Sequence, residues 1–326
     1  MSDRLPIGVV GVGALGMHHA RHLATIPEAS LVGIYDESPA RADQVAEQVG
    51  SRAYRDLDRL LREVRAVTIA VPTPAHAAVG LRALERGIPV LMEKPLAATL
   101  EEADALVAAA ARQRLQLQVG HIERFNRAVR AAQPYLRDPQ FMESQRLAPF
   151  QPRGTDVAVI LDLMIHDLDL ILRLTGGAEP TDVRASGVAV LSQHLDMANA
   201  RVEFANGAVA TVTASRMARE RIRKLRIFQP SGYLSLDMAS GGGEFMRLRS
   251  GWKPGSATRI EDIVERVVLE APEADALRME LTSFVHAVRG DHETVVTGEE
   301  GRAALSLALK VIDAVNRRPV IVPHAP

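Results

Sequence analysis

The sequence predicts an α/β protein with two domains: an N-terminal doubly wound parallel sheet, then an α+β domain with a large, mainly antiparallel open sheet. Strand and helix signals alternate from residue 5 to about residue 120, which is typical of a parallel sheet covered by helices. After Gly120, strand signals follow one another, and Asn206-Gly207 is a strong hairpin signal between two of them. The length of 326 residues accommodates two domains, which we place at residues 1–120 and 121–326.

The first part of the chain carries the alternating elements. Apolar runs predict buried strands that end at residues 10, 35, 71, 92 and 119. Apolar residues at helical spacing predict helices at residues 39–49, 57–64, 75–86 and 99–113. Thr99 and Glu102 have the spacing of a capping box, which indicates where the last of these helices begins. This order of elements predicts the doubly wound, or Rossmann, arrangement.

The second part of the chain is rich in strand signals. We expect helices at residues 122–137, 159–175, 274–289 and 299–316. We expect strands at residues 181–190, 197–204, 208–215, 224–229 and 233–237, and a loop at 241–243. The order of these strands predicts an antiparallel sheet. The two C-terminal helices can pack against the first domain.

Composition excludes several classes of protein. A net charge of −1 and a pI near 6.8 argue against nucleic-acid binding. The absence of cysteine excludes disulfides and thiolate metal sites. The first strand follows Arg4 directly, which leaves no room for a signal peptide, and no apolar run approaches the length of a membrane span. We therefore expect a cytoplasmic protein without nucleic-acid or membrane partners.

The turn after the first strand has the glycine spacing of a dinucleotide-binding loop. Gly11 allows the turn, Gly13 lets the backbone approach a pyrophosphate, and Gly16 lets the helix pack close to the strand. Ala14 and Leu15 lie at the start of this helix, where free N–H groups favour an anion. The alternative is an ordinary strand–helix turn, but strand, glycines, helix, strand and acid occur here in the expected order.

An acid at the end of the second strand indicates which dinucleotide is bound. Asp36 follows Gly16 by about twenty residues, where a carboxylate accepts hydrogen bonds from both ribose hydroxyls. It repels a 2′-phosphate, so NAD is favoured over NADP. Ser38 and Arg41 weaken this preference, because a nearby arginine can pair with a 2′-phosphate.

Two further strand ends place polar groups at the same edge of the predicted sheet, where ligands of such sheets bind. One end carries Val71, Pro72, Thr73 and His76, and the other carries Glu93 and Lys94. A lysine beside a nicotinamide can exchange a proton with a substrate hydroxyl, which must lose its proton as a carbonyl forms. From position alone, Lys94 is equally well explained as the partner of a surface acid.

Four motifs together resemble the Gfo/Idh/MocA oxidoreductase family. They are Gly11-x-Gly13-x-x-Gly16, Val71-Pro72-Thr73-Pro74-x-His76, Glu93-Lys94-Pro95 and Asp162-x-x-x-His166. The resemblance covers most of the chain. It implies an NAD-binding site at the first three motifs, with Lys94 as the acid/base group and a contact of the cofactor ribose. It also suggests a cis peptide before Pro95.

The predicted helix at residues 159–175 has two interpretations. Asp162, His166 and Asp169 lie at i, i+4 and i+7 and share one face. Either a buried Asp–His pair holds this helix in place, or His166 lies beside the substrate hydroxyl, oriented by Asp162 or helped by Asp167. The resemblance favours the second interpretation. Lys94 ranks first as proton acceptor, and His166 is a second base or a substrate-orienting group.

A metal site is a competing use of the histidines. His18 and His22 lie four residues apart on the first helix, but no third ligand follows at a suitable spacing. We expect no metal, and we expect His18, His19 and His22 to be helix-packing or surface residues.

Within the family, two runs resemble a branch that acts on UDP-linked N-acetylamino sugars, the UDP-N-acetylglucosamine 3-dehydrogenase type. They are residues 120–126 and 149–167. A sugar diphosphate needs fixed cationic donors, and arginine binds phosphate through two parallel hydrogen bonds. Arg124, Asn126 and Arg153 are our substrate-binding candidates, together with Asp162 and His166; Arg146 is a further candidate. A basic cluster is better explained as a solvated face: Arg219, Arg221, Arg223, Lys224 and Arg226.

These observations favour an NAD-dependent oxidoreductase that oxidises a secondary sugar hydroxyl, with the 3-hydroxyl of a UDP-linked N-acetylamino sugar as first choice. Three alternatives stay open: a dehydrogenase of a free sugar or inositol, a non-catalytic dinucleotide sensor on the same fold, and a scaffold protein. The resemblance further implies a homodimer or homotetramer that pairs through the open sheet.

Overall fold

The computed structural model describes residues 4–151, 154–253, 255 and 259–317. The chain forms two compact units. The first runs to Ile122 and takes in Ala274–Leu305, and the second has Glu123–Glu273 and the chain from Ser306 onward.

The first unit is built on a six-stranded sheet whose strands all pair in parallel. The strands are β1 (Leu5–Val10), β2 (Ala29–Tyr35), β3 (Ala53–Tyr54), β4 (Ala66–Ile69), β5 (Val90–Glu93) and β6 (Leu117–Gly120). Their order is β3-β2-β1-β4-β5-β6. The order reverses direction between β1 and β4, and such a switch point is where ligands bind beyond the carboxyl ends of the strands. The predicted Rossmann arrangement is confirmed.

The second unit is built on an eight-stranded sheet. Its strands are β7 (Phe141–Leu147), β8 (Pro180–Val188), β9 (Met197–Phe204), β10 (Val209–Ser215), β11 (Ile222–Gln229), β12 (Gly232–Asp237), β13 (Gly242–Leu248) and β14 (Val264–Leu269). Their order is β14-β13-β12-β11-β7-β10-β9-β8. Every pair is antiparallel except β7 with β10, which is parallel. The predicted large, mainly antiparallel sheet is also confirmed.

Most of the helices lie where the apolar periodicities predict them. They are α1 (Ala14–Leu23), α2 (Pro39–Val49), α3 (Leu57–Glu63), α4 (His76–Leu84), α5 (Leu100–Gln113), α6 (Arg127–Ala132), α7 (Ile165–Leu174), α8 (Ile260–Ile263), α9 (Ala276–Arg289) and α10 (Gly298–Asn316). The capping box of α5 is present, with Thr99 accepting from the Glu102 N–H. Within the described ranges, no helix combines the length and apolar character that a membrane crossing needs.

The core of the first unit lies between β1 and the helices on one face of its sheet. Ile7 and Val9 of β1 are fully buried there together with Leu23 of α1. Leu281 and Phe284 of α9 join the same cluster, so α9 completes this core although it comes more than two hundred residues later. Burial of such side chains contributes about 1.5–3 kcal/mol each. This packing holds β1, and with it the glycine turn that follows.

The structure corrects several predicted elements. The helix expected at residues 122–137 is broken into a 3-10 turn at Ile122–Phe125, then α6, then a second 3-10 turn at Gln133–Tyr135. Asn126 ends the first turn, because its side chain caps α6 by accepting from the Ala128 N–H. The helix expected at residues 159–175 begins as a π-helix at Ile160–Met164 before α7. The short strand β3 and three long strands, β7, β13 and β14, were not predicted, and β13 begins inside the expected loop at 241–243.

Candidate active site

The glycine turn has the geometry that its sequence predicts. Gly11 has φ of +81°, and its N–H donates to the Tyr35 carbonyl at 2.8 Å. A Cβ on Gly16 would lie 1.8 Å from the Gly11 carbonyl oxygen, so no side chain fits at position 16. A Cβ on Gly13, in contrast, meets no described atom within 4 Å. Gly11 and Gly16 are therefore required by the fold, whereas Gly13 leaves open space in front of the turn.

This open space lies at the N-terminus of α1. Gly13 is the residue that precedes the helix, and no side chain in the described part of the chain caps it. Gly13, Ala14 and Leu15 are exposed. The first N–H groups of a helix have no partner within the helix, and they favour an anion. The turn therefore fits the pyrophosphate of NAD, which a bulkier residue than Gly13 would exclude.

Asp36 follows β2 and is held by two backbone groups. Its Oδ2 accepts from the Val12 N–H at 2.8 Å, and its Oδ1 accepts from the Ser38 N–H at 2.9 Å. Each carboxylate oxygen has a second lone pair, so both can still accept from a hydroxyl group. The structure thus fixes a carboxylate beside the glycine turn, as a ribose-binding acid requires.

Arg41 is directed at the glycine turn. Its Nε donates to the Val12 carbonyl at 2.7 Å, and its Nη2 donates to the Gly13 carbonyl at 3.2 Å. A third donor reaches the Gln44 side chain at 2.7 Å. Because these donors are bound within the first unit, Arg41 braces the turn and is less available to a 2′-phosphate than its position in sequence suggests.

His76 joins the ends of two neighbouring strands. It is 1% exposed, its Nδ1 lies 2.9 Å from the Pro95 carbonyl, and its Nε2 lies 3.0 Å from the Val71 carbonyl. Burial lowers the pKa of His76, although both carbonyls oppose this effect. The neutral ring donates to one carbonyl at a time. His76 therefore positions the turn at Pro72 and Thr73 against the end of β5.

Lys94 lies directly after β5. It is half-buried, and the peptide between Lys94 and Pro95 is cis, as the family resemblance suggested. Glu93 beside it is buried, with Oε1 2.9 Å from His19 Nε2 and Oε2 accepting from the Lys94 N–H at 3.2 Å. Burial opposes ionisation of Glu93, but the hydrogen bond from His19 and the charge of Lys94 hold its pKa below the usual value.

The first unit thus brings together the predicted cofactor-binding residues. The glycine turn, Asp36, the Val71–His76 segment and Glu93-Lys94 follow β1, β2, β4 and β5, whose carboxyl ends share one edge of the sheet. Sequence reasoning missed the contact of His19 with Glu93. The available signal was the position of His19 in α1, three residues after Gly16, on the face that is buried.

The second unit holds Asp162 and His166 at the junction of the π-helix with α7. Both residues are half-buried. A Cβ on Gly154 would lie 2.8 Å from Asp162 Oδ2, so Gly154 lets the chain pass close to this carboxylate. The four-residue spacing from Asp162 to His166 therefore spans a π-helical segment, in which each turn contains more residues than in an α-helix. π-Helical segments occur frequently at functional sites.

Arg216 holds the segment that leads into this π-helix, and its role was not predicted. It is 3% exposed, and it donates to the carbonyls of Gly154, Val157 and Leu195. Its Nε also lies 3.4 Å from the buried carboxylate of Asp196. Two of these carbonyls, those of Gly154 and Val157, precede Asp162, so the buried guanidinium fixes the backbone ahead of this residue.

Arg124 is tied to α7. Its Nε and Nη2 donate to the two oxygens of Asp169 at 2.6 and 2.7 Å, and both side chains are at most 5% exposed. Asn126 donates to Glu123 Oε2 at 2.8 Å and to the Met238 carbonyl at 3.0 Å. The sequence suggested that Arg124 and Asn126 bind substrate, whereas in the structure these groups bind other parts of the second unit.

Arg146 occupies the centre of the same region. It donates to both oxygens of Asp167, at 2.7 and 3.2 Å, and to Glu123 Oε1 at 2.7 Å. Burial alone would lower the pKa of Arg146, but the two carboxylates raise it well above its usual value. Asp167 and Asp169 both lie on α7, so these ion pairs fix the helix that carries His166.

The basic cluster that the sequence analysis interpreted as a solvated face is partly exposed. Arg219 and Arg221 are exposed, and Arg223 is half-buried with Nη1 3.6 Å from Glu123 Oε1. Arg153 lies outside the described residues. No three His, Asp or Glu side chains within the described ranges are grouped so as to hold a metal ion.

Comparison with known proteins assigns both units to one family. Residues 5–121 match the oxidoreductase family with an NAD-binding Rossmann fold, and residues 120–235 match the Gfo/Idh/MocA C-terminal domain.

Individual relatives extend this match. The chain is 42% identical over 314 residues to UDP-N-acetylglucosamine 3-dehydrogenase of Acidithiobacillus ferrooxidans, covering 95% of this chain and 96% of that protein. A solved structure of that enzyme superposes with a TM-score of 0.89 and 41% identity, covering 96% and 98% of the two chains. The scyllo-inositol 2-dehydrogenase (NAD(+)) of Bacillus subtilis is 32% identical over 235 residues, which are 66% of this chain and 68% of that protein. The chain therefore belongs to the Gfo/Idh/MocA oxidoreductases and has their NAD-binding domain.

Proposed function

We propose that this chain is an NAD-dependent dehydrogenase that oxidises the 3-hydroxyl of UDP-N-acetylglucosamine. One observation carries the choice of substrate: the 42% identity to UDP-N-acetylglucosamine 3-dehydrogenase extends over 95% of this chain and 96% of that protein. The similarity to the inositol dehydrogenase of Bacillus subtilis is lower and covers 66% of the chain. Because a match over 95% of the chain takes in nearly all of the second unit, it supports the nucleotide sugar over inositol.

In the proposed reaction, Lys94 is the acid/base group. When bound, NAD supplies the nicotinamide ring that accepts a hydride from the sugar carbon. Lys94, as a neutral amine, takes the proton of the hydroxyl while its oxygen becomes a carbonyl oxygen. His166 orients this hydroxyl or serves as a second base, with Asp162 as its orienting partner. The backbone N–H groups at Gly13, Ala14 and Leu15 hold the cofactor pyrophosphate.

The cofactor preference follows from the residues around the glycine turn. Asp36 is fixed by two N–H groups and presents negative charge where a 2′-phosphate would lie. Arg41 donates to the carbonyls of Val12 and Gly13 rather than projecting freely. NAD is therefore the proposed cofactor, and a lower activity with NADP is expected.

The candidate substrate-binding residues have two kinds of role: some contact the substrate, and others hold the elements that do. We keep Arg153 as a ligand of the substrate diphosphate on the basis of its sequence context. Arg124 and Asn126 are bound to Asp169 and Glu123, so they support the substrate site by holding α7 and the start of α6. Asp162 and His166 contact the sugar.

The proposal also includes a cytoplasmic location and assembly through the open face of the eight-stranded sheet. Phe228 of β11 is 40% exposed, and its ring lies 5.6 Å from that of Phe141 and 4.6 Å from that of Tyr233. An exposed aromatic cluster on a sheet face is typical of a protein interface. A homodimer or homotetramer formed through this face would cover it.

The test is a substrate comparison with the purified full-length chain. Incubation with NAD and UDP-N-acetylglucosamine should produce NADH absorbance, while glucose or myo-inositol with NAD should not. Turnover of myo-inositol alone would assign the chain to the inositol dehydrogenases. Tight NADH binding without turnover of any of these compounds would indicate a dinucleotide sensor.

A matched pair of lysine variants tests the mechanism. Lys94→Ala should reduce turnover by about 10²–10⁴-fold, the usual contribution of a general base, while NADH still binds. Lys224→Ala removes an exposed lysine of β11 and should leave turnover unchanged. If Lys94→Ala retains turnover, Lys94 is not the base. If His166→Ala changes neither the rate nor the pH profile, His166 is only structural.

A further inference from the structure

His19 is a buried histidine that contacts the residue before Lys94. It lies on the inner face of α1, is 0% exposed, and places Nε2 2.9 Å from Glu93 Oε1. The other oxygen of Glu93 accepts from the Lys94 N–H at 3.2 Å. A continuous path of two hydrogen bonds therefore runs from α1 through the Glu93 carboxylate to the backbone of Lys94.

The surroundings of His19 determine which of its nitrogens carries the proton. Nδ1 is buried and has no hydrogen-bond partner among the described residues. A proton on Nδ1 would be a buried donor without an acceptor, which is costly. The arrangement is satisfied by a neutral ring that carries its proton on Nε2 and donates it to an ionised Glu93.

The Glu93 carboxylate depends on this donor. It is buried, and a buried carboxylate without partners is strongly disfavoured relative to its protonated form. On the side of β6, a Cβ at Gly120 would lie only 3.1 Å from Glu93 Oε2, so the backbone packs closely against the carboxylate there. His19 is therefore the side chain that keeps Glu93 both ionised and in place.

We propose that His19 is a positioning residue for Lys94: it holds the Glu93 carboxylate, which in turn fixes the Lys94 backbone and keeps a negative charge beside the Lys94 side chain. This inference rests on the proposed function, in which Lys94 is the acid/base group. The effect on Lys94 is electrostatic, because a neighbouring carboxylate favours the ammonium form and so sets the pH at which the base becomes available.

Other titratable groups also face this pair. His76, at the start of α4, experiences the charge of Glu93. His22 lies one turn further along α1, and Lys94 experiences the charge of Glu93. The test must therefore observe Lys94 itself rather than a pH profile alone.

The composition of the chain makes this observation straightforward. The sequence contains four lysines, at positions 94, 224, 253 and 310. Reductive methylation of the full chain with ¹³C-formaldehyde gives one dimethyl signal for each lysine and one for the N-terminus. The signal that disappears in Lys94→Arg is that of Lys94, and its chemical shift is then followed against pH without substrate or cofactor.

Two substitutions should move this titration and two should not. Glu93→Gln removes the charge without changing shape, and the Lys94 midpoint should fall by about one pH unit. His19→Leu should produce a shift in the same direction, because Glu93 then loses its donor and its charge. His19→Gln retains an N–H at the position of Nε2 and should restore the midpoint. His18→Leu, on the exposed side of the same helix, is the matched control and should leave it unchanged.

Activity provides the second readout. For each variant, the acid limb of kcat/KM should move by the same amount as the Lys94 midpoint, since only the neutral amine accepts a proton. Unchanged Lys94 midpoints in both Glu93→Gln and His19→Leu would overturn the inference. If His19→Leu does not fold, an unchanged midpoint in Glu93→Gln alone overturns it.

The magnetic resonance readout also separates the two proposals. If the midpoints shift as expected but UDP-N-acetylglucosamine is not oxidised, the positioning role stands and the substrate assignment fails. If the sugar is oxidised while the midpoints stay fixed, the substrate assignment stands and His19 is only a packing residue.

Discussion

Replacing Arg146 by methionine should destabilise the second unit more than any surface substitution. Arg146 is 2% exposed and bridges two carboxylates that are themselves buried, Asp167 and Glu123. Methionine preserves much of the length and apolar stem of arginine but removes the charge and all donors. The loss is therefore electrostatic rather than a loss of volume.

The size of the loss in unfolding free energy depends on which partners each carboxylate keeps in Arg146→Met. Asp167 loses the donors at 2.7 and 3.2 Å that reach both of its oxygens. Glu123 still accepts from Asn126 at 2.8 Å and lies 3.6 Å from Arg223, so it keeps part of its compensation. Removing one partner of a buried ion pair costs about 3–5 kcal/mol, and one fully stranded carboxylate places Arg146→Met near 4 kcal/mol.

Thermal and urea unfolding, followed by circular dichroism, measure this loss. A loss of about 4 kcal/mol in unfolding free energy lowers the melting temperature by roughly 10 °C for a unit of this length. Arg226→Met is the matched control: Arg226 lies on neighbouring β11 and pairs with half-exposed Glu143 at 2.9 Å, which should contribute less than about 1 kcal/mol. Equal melting temperatures for Arg146→Met and Arg226→Met would refute the reasoning.

Two further predictions concern the first unit. Gly13→Ala should fold with near-normal stability but lose NADH affinity in a fluorescence titration, because its Cβ meets no described atom within 4 Å yet fills the approach to the turn. Gly16→Ala should lose both stability and NADH affinity, since its Cβ would lie 1.8 Å from a carbonyl oxygen. Normal folding of this variant would contradict the geometry. The pKa of Glu93 is lower in the folded chain than its ordinary 4.5, so Glu93 stabilises the fold above that pH and loses this contribution as the pH falls further. The stability difference between the natural chain and Glu93→Gln, measured by urea unfolding, should therefore shrink on acidification; a difference that grows would mean the opposite shift.

Features that depend on residues close together in the sequence were predicted correctly. The glycine turn, the capping box at Thr99 and the hairpin at Asn206-Gly207 each depend on residues a few positions apart, and each is present in the structure. Strand β7 was missed for the opposite reason. Its buried face carries Met142, Ser144 and Arg146, so two of the three buried side chains are polar and the apolar alternation of a strand is absent.

Strand β13 was missed because glycine has two uses. Gly242 and Gly243 follow Gly241 and resemble a flexible loop in sequence. In the structure, a Cβ on Gly243 would lie 2.8 Å from the Leu236 side chain of neighbouring β12. Glycine is needed there for close packing within the sheet, and composition alone cannot distinguish this requirement from a turn.

Contacts between residues far apart in sequence were also not predicted in the candidate site. Sequence reasoning placed Lys94, Asp36 and the glycines at strand ends, where the structure has them, because this position can be predicted without knowledge of any partner. It did not anticipate that His19 would contact Glu93, 74 residues later, or that Arg124 would bind Asp169, 45 residues later. A charged side chain is free to bind a ligand only when no nearer group has taken its donors, and that depends on tertiary contacts.

The buried ion pairs of the second unit bear on the proposed binding of a nucleotide sugar. Arg124 and Arg146 face the carboxylates of Glu123, Asp167 and Asp169, so these five groups together carry no excess of positive charge. Such a cluster offers a diphosphate no net attraction, and its arginines cannot turn towards one without stranding a buried acid. Its effect is instead to fix α7, which carries Asp167 and Asp169 on its buried side and His166 at a half-exposed position. In the proposed function, cations outside the cluster would attract the diphosphate, with Arg153 as the proposed ligand, and the cluster would contribute by fixing the helix that carries His166.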